Sequence, residues 1–257
     1  PKTRSGSWRT STGSGKSTTL YSLLNKISDG QSNIITVEDP VEYELDGINQ
    51  CSVNTRAGMT FAAGLRAMLR QDPDIIMVGE MRDTETATIA MEAALTGHLV
   101  LSTLHTNDAA SAPTRLIDME VEPFLISSSI IGVLAQRLVR QICPNCKESY
   151  VVSRESLLRY GFPIPDELGA ETHGEITLFK GAGCDKCKNT GYKGRTGVHE
   201  LMSLNDAIRD QILHKSPSHI LRRLAMENGM STLQMDAVQK ILMGVTTVDE
   251  VLRVIYA

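Results

Sequence analysis

Gly13-Ser14-Gly15-Lys16-Ser17-Thr18 is the stretch on which the reading of this chain turns. Glycines in a short loop let successive backbone N–H groups curl around phosphate oxygens. A lysine placed directly after them neutralises the β/γ charge, and the following hydroxyl is suited to ligate magnesium. Thr12 through Thr18 are therefore candidate nucleotide contacts: Thr12, Gly13, Ser14, Gly15, Lys16, Ser17 and Thr18, with Ser17 also the candidate magnesium ligand. The helical stretch from Thr18 to Lys26 supplies the helix N-terminus that such a loop needs. One position departs from the pattern G-x-x-x-x-G-K-[ST], because Thr10 stands where its first glycine belongs. No apolar strand leads into the loop from Pro1 to Ser11, where Trp8 is the sole large apolar residue.

Outward from the loop, up to Gln141, short β-branched runs alternate with helical stretches, which predicts a parallel sheet wrapped by helices. Ile34-Ile35-Thr36-Val37, Ile75-Ile76-Met77-Val78 and Leu99-Val100-Leu101-Ser102-Thr103 read as strands buried on both faces. Each runs into polar residues: Glu38-Asp39, Glu80 and His105. In open α/β sheets a ligand lies beyond the carboxyl ends of the strands. Asp83 is placed to cap a helix running to Thr96 that Gly97 closes, Phe61 to Gln71 reads as another helix, and Pro123 suits a helix start. Residues 143–192 have little regular periodicity and read as a compact, metal-stapled insert, whereas apolar residues recur at helical spacing after Asn205. The expected organisation is an atypical leader (1–11), an α/β RecA-like P-loop core (12–141), a tetracysteine module (142–200) and a small C-terminal helical bundle (201–257).

The 257 residues are 41% hydrophobic and 22% charged, with a net charge of −4. That profile excludes disorder, and its mild acidity speaks against a domain that grips nucleic-acid backbones. The longest apolar run, Phe124 to Leu138, is broken by Ser127, Ser128, Ser129, Gly132 and Gln136, so no membrane span is expected. Nor does the N-terminus read as a secretory signal. A cytoplasmic location is expected.

Asp72-Pro73-Asp74-Ile75-Ile76-Met77-Val78-Gly79-Glu80 is an apolar strand ending in acid, and Glu80 is the catalytic candidate: a carboxylate at a strand tip can orient an attacking water or enter the magnesium shell. The ordinary alternative is an acid that caps the next helix. Gly79 stands where P-loop enzymes usually carry an aspartate. Glu38, Asp39 and Glu42 place three carboxylates in one turn, which is either a nucleotide-side acidic cluster or a solvated loop. Arg66 and Arg70, at i and i+4, could reach a phosphate from one helix face or simply be exposed. His105 could sense the γ-phosphate or act as a hydrogen-bonded spacer.

Four of the five cysteines form two C-x-x-C pairs, Cys143/Cys146 and Cys184/Cys187. Two such knuckles aim four thiolates at one point, the tetrahedral preference of structural zinc, and a complete cysteine set leaves no open position for catalysis. The long stretch from Lys147 to Gly183 is expected to loop out between them. Cys51 stands alone.

The phosphate loop, the acidic box Ile35 to Tyr43, Leu65 to Asp74, Val78 to Asp83, Thr96 to Asn107, the cysteine pairs and Thr190 to Leu201 together closely resemble the secretion ATPases of the type II secretion and type IV pilus superfamily. The resemblance covers the chain from Thr12 onward. It implies a magnesium-dependent ATPase working as a hexameric ring, with ATP at subunit interfaces. Such a ring drives extension of a pseudopilus or pilus through the cytoplasmic domain of an inner-membrane partner, and reaches the membrane only through partners. It further implies that Lys16 and Ser17 hold nucleotide and magnesium and that Glu80 is the catalytic glutamate. Arg66 and Arg70 become phosphate-directed, Asp39 and Glu42 match the acidic box, and His98 and His105 match the histidine box. The tetracysteine module resembles that of the secretion and pilus-assembly branch. The family places Gly-Pro at Thr10-Ser11 and carries an N-terminal domain, so this chain is expected to be the C-terminal half of a longer protein. Two rival readings are a nucleotide-binding assembly module without turnover and a RecA-type nucleic-acid motor.

Overall fold

A computed structural model describes residues 13–164 and 174–256. The leader, with Thr10 and the candidate contact Thr12, lies outside them. In chain order the elements are α1 (Lys16–Ile27), β1 (Ile34–Glu38), β2 (Asn49–Ser52), α2 (Phe61–Met68), β3 (Ile75–Val78), α3 (Thr84–Leu95), β4 (Leu99–Ser102), α4 (Ser111–Asp118), α5 (Pro123–Ser129), β5 (Gly132–Ile142), β6 (Lys147–Ser153), α6 (Arg154–Arg159), β7 (Glu175–Gly181), β8 (Tyr192–Ser203), α7 (Asp206–Leu213), α8 (Ser218–Glu227), α9 (Leu233–Leu242) and α10 (Val248–Ile255). The chain divides into two compact units. One holds Lys16–Leu134 with Leu201–Met230; the other holds residues up to Gly15 with Ala135–Glu200 and Ser231 onward. The four helices after Asn205 are thus shared out, α7 and α8 to the first unit, α9 and α10 to the second.

The first unit is built on a parallel sheet of order β2-β1-β3-β4. Its registers align Val37 with Val78, and Val78 with Ser102, so the three predicted strands end along one edge. Because strand side chains alternate, Ile34, Ile75 and Met77 face α1, where they form a core with Tyr21 and Leu24, flanked by Leu20, Ile27 and Leu101. On α1 these residues recur at helical spacing, which is why the loop's helix lies on the sheet. Val37 points to the other face, where Gly64 of α2 lets that helix approach: a Cβ there would lie 3.1 Å from Val37 Cγ2.

β1 and β3 are buried along their length. β4 is not: Leu99 is exposed and the rest half-buried, because β4 lies at the sheet edge among the described residues. β2, whose Asn-Gln-Cys-Ser is polar and largely exposed, carries no strand signal and is held by pairing to β1. Asp83 caps α3 by accepting from the Thr86 N–H, and Pro123 opens α5, as the sequence predicts. The helix expected from Phe61 to Gln71 stays α-helical only to Met68. It then tightens into a 3-10 turn, Leu69–Gln71, closed by Asp72 in the left-handed region. In the second unit the described residues between the cysteine pairs hold more regular structure than their periodicity suggested. β6 and β7 pair antiparallel from Lys147↔Gly181 to Ser153↔Glu175.

Candidate functional site: a phosphate-loop helix and three strand tips

Gly13 (φ 135°) and Gly15 (φ 84°) both occupy backbone conformations that side-chain-bearing residues rarely adopt, and α1 begins at Lys16 directly behind them. The Gln136 side chain donates from Nε2 to the carbonyl of Ser14 at 2.8 Å, holding the loop from β5. A Cβ on Gly15 would collide with that same amide. Lys16 and Ser17 line a small cavity of about 60 Å³ with Leu20, Tyr21, Glu38, Met77, Gly79 and Thr103. Helix N-terminus, lysine, hydroxyl and carboxylate therefore converge on one spot beyond the carboxyl ends of β1, β3 and β4. The oxygen donors Ser17 and Glu38 form a hard set that fits magnesium. Thr18 is exposed, and its carbonyl accepts from Ser22.

Glu38, last residue of β1, is 5% exposed. Its parity in the strand turns it toward α1, where Tyr21 donates to Oε2. Thr36 donates to Oε1 at 2.5 Å and Gln50 to the same oxygen at 3.2 Å. Asp39 and Glu42, by contrast, are exposed. Asp39 lines a second, open cavity of about 430 Å³ with Ser52, Val53, Asn54, Thr55 and Arg56. Glu42 touches the site network through its backbone, whose N–H donates to Tyr21 Oη at 3.2 Å.

At Gly79, which occupies the usual aspartate position, a side chain would be tightly packed: a Cβ would lie 3.3 Å from the Val37 carbonyl and 3.4 Å from Glu38 Cα. Thr103 donates to the Gly79 carbonyl at 2.7 Å and clamps the two strand tips together. Immediately beyond, Glu80 accepts from Arg82 and lies 2.9 Å from His105 Nε2. Burial works to raise the Glu80 pKa, but Arg82 and then His105 outweigh it and hold the carboxyl below its ordinary value. Glu80 in turn raises the Arg82 pKa, with a smaller contribution from the charge of Asp39. Glu80 does not cap α3, since Asp83 does.

Arg66 and Arg70 line neither cavity. Arg66 is exposed and paired with Glu85 at 2.6 Å, while Arg70 is exposed in the 3-10 turn that follows α2, so the two do not share one unbroken α-helix. His98 sits at the amino end of β4, its Nδ1 2.9 Å from the Ala93 carbonyl and 3.1 Å from Thr96 Oγ1, at the far end of the strand from His105. Tyr21, Thr36, Gln50, Arg82 and Thr103 were missed as site residues. For Tyr21 a signal existed: it lies one helical turn after Ser17 and so on the same face of α1.

In the second unit the sulfurs of Cys143, Cys146, Cys184 and Cys187 all lie within 4.8 Å of one another. Cys143–Cys184, Cys146–Cys187 and Cys184–Cys187 are 3.9, 3.8 and 3.7 Å apart. A tetrahedron with metal–sulfur bonds of about 2.3 Å has edges of about 3.8 Å, so the cluster fits zinc closely. Cys51 is exposed.

Comparison with known proteins agrees with this geometry. The family model for type II/IV secretion system proteins matches residues 9–253, and the chain belongs to that family. It is 53% identical over 243 residues to type II secretion system protein E of Dickeya dadantii, covering 95% of this chain and 47% of that protein. It is 54% identical over 241 residues to the type IV pilus assembly ATPase PilB of Thermus thermophilus, covering 94% of this chain and 26% of that protein. The chain thus spans about half or less of the length of these relatives. Among solved structures, the pilus retraction motor PilT with bound ADP superposes with a TM-score of 0.66 at 30% identity, over 94% of this chain and 58% of that one. The ATPase DotB of Legionella pneumophila gives 0.63 at 25%, over 93% and 56%. No helix among the described residues is long and apolar enough to cross a membrane.

Proposed function

We propose that this chain is the ATP-hydrolysing part of a motor that assembles a type II secretion pseudopilus or a type IV pilus. The observation that carries the reading is the convergence of Lys16, Ser17 and Glu38 on one cavity, with Glu80 and His105 at the adjoining strand tips. Similarity to PilB and to ADP-bound PilT supports it. The loop N–H groups and Lys16 bind the phosphates, and Ser17 supplies a ligand for magnesium, which offsets charge on the phosphate oxygens when bound. Glu80, kept ionised by Arg82 and His105, orients the attacking water. Arg66 and Arg70, which line no cavity in the chain by itself, act on nucleotide from a neighbouring subunit of a ring, taken to be hexameric. Asp39 and Glu42 serve the nucleotide side from the acidic turn. The four cysteines hold a structural zinc. The motor works in the cytoplasm and reaches the inner membrane through the cytoplasmic domain of a platform protein.

The test is Glu80→Gln. Turnover should fall by roughly 100-fold or more while ATP affinity stays within about twofold; undiminished turnover rejects the assignment.

A further inference from the structure

Tyr21 is buried to 1% exposure within the α1–sheet core, yet its hydroxyl is fully used. It donates to Glu38 Oε2, accepts from the Glu42 N–H at 3.2 Å and lies 3.5 Å from Gln50 Nε2. A leucine or phenylalanine would satisfy the core equally well, since the ring already packs edge-on against Tyr43 at 4.6 Å. What an apolar residue could not supply is the donor. A buried carboxylate requires donors on both oxygens. Thr36 and Gln50 serve Oε1, and Tyr21 donates to Oε2. Burial, then the bond to Glu38, pushes the Tyr21 pKa up to about 12, so the hydroxyl stays a donor at neutral pH. One turn earlier on the same helix face is Ser17, which lines the cavity that Glu38 also lines.

We propose that Tyr21 is a positioning residue: its hydroxyl fixes the Glu38 carboxylate beside the Lys16–Ser17 turn as an acceptor for the water shell of a nucleotide-bound divalent cation. This rests on the reading of that turn as a nucleotide site. A phenol on α1 thus ties three things together: the helix that carries the cation's hydroxyl ligand, the strand tip that carries the carboxylate, and the acidic turn, through the Glu42 amide. Without the hydroxyl, Oε2 loses its anchor and the carboxylate can rotate away from the cavity, whereas contacts to phosphate through Lys16 are untouched.

The experiment is a titration of ATP into the protein in magnesium and in EDTA, for the wild type, Tyr21→Phe, Glu38→Gln and the double variant, with melting temperatures recorded. The wild type should bind ATP more tightly with magnesium. Tyr21→Phe should lose about fivefold of that enhancement while its affinity in EDTA stays within about twofold. Glu38→Gln should show the same selective loss, and adding Tyr21→Phe to it should change nothing further. Unchanged magnesium enhancement in a folded Tyr21→Phe protein overturns the proposal, as does equal loss in EDTA or an additive loss in the double variant. If the single variant fails to fold because it strands a buried charge, Glu38→Gln compared with the double variant, in which that charge is gone, decides alone. A wild type that binds no ATP in either condition defeats the nucleotide-site reading and the proposal with it. Wild-type binding with a normal Tyr21→Phe defeats the proposal only.

Discussion

The strand-tip site and the cysteine cluster solve the same problem, holding distant chain segments in fixed geometry, by opposite means. At the strand tips, residues from α1, β1, β2, β3 and β4 are brought together by a sheet whose strands are buried in register. The final positions are then set by hydrogen bonds from uncharged donors: Thr103 to Gly79, and Tyr21, Thr36 and Gln50 to Glu38. In the cysteine region, β6 and β7 pair only with each other among the described residues, and four sulfurs from two short turns meet at one point. The first arrangement spreads its energy over many modest contacts; with the proposed zinc bound, the second concentrates it in one centre. Loss of any one contact should therefore be graded in the first region and abrupt in the second.

The largest expected effect breaks the second. Cys143→Ser should drop zinc below half an equivalent per chain, measured by elemental analysis, and lower the melting temperature by roughly 10 °C. Retention of a full equivalent would remove the four-sulfur site. Next comes Lys16→Ala, which should weaken ATP binding by about 100-fold, read by titration, with little change in melting temperature, because Lys16 binds charge and carries no core. Third is a charged cluster outside both sites. Glu250 is 1% exposed and bonded by Arg140 and Arg253. Burial raises its pKa, but Arg253 and then Arg140 bring it down to about 2. A depressed carboxyl stabilises the fold above its unfolded value of about 4.3 and loses that contribution as pH falls toward 2. Glu250→Gln should hence cost roughly 2 kcal/mol at pH 7, with the gap to wild type closing between about pH 4.5 and 2 in denaturant titrations. Smallest is Arg66→Ala. Its exposed pair with Glu85 is worth about 0.5 kcal/mol or less. A marked fall in turnover without a shift in melting temperature would sharpen its assignment as a residue acting on a neighbour's nucleotide.

The two regions also differ in how far they could be read without coordinates. Cys143, Cys146, Cys184 and Cys187 were legible because a C-x-x-C turn is local and thiolates have few other uses in that spacing. The antiparallel pair between them was not, since β6 is mostly exposed and without a clear alternation, and the alternation of β7 rests on two buried residues, Ile176 and Leu178. In the α/β core, β1 and β3 were plain from continuous apolar runs, and the caps at Asp83 and Pro123 from local chemistry. β2 went unseen because pairing to β1, and no propensity of Asn49–Ser52, makes it a strand. Arg66 and Arg70 were grouped by a helical spacing that ends at Met68. Among three neighbouring acids, spacing could not tell which enters the site; strand parity turns Glu38 inward, while the turn after it leaves Asp39 and Glu42 in solvent.

The sequence by itself determined the phosphate loop, the strand tips bearing Glu38, Glu80 and His105, the zinc-type cysteine set and the family. These depend on contiguous residues whose chemistry is local. Only the tertiary structure decided that Gly79 is closely packed against the end of β1, that Glu80 is shared by Arg82 and His105, and that Tyr21 holds Glu38. Each of those follows from which residues face one another across neighbouring strands and helices, and that is set by register and packing rather than by order along the chain.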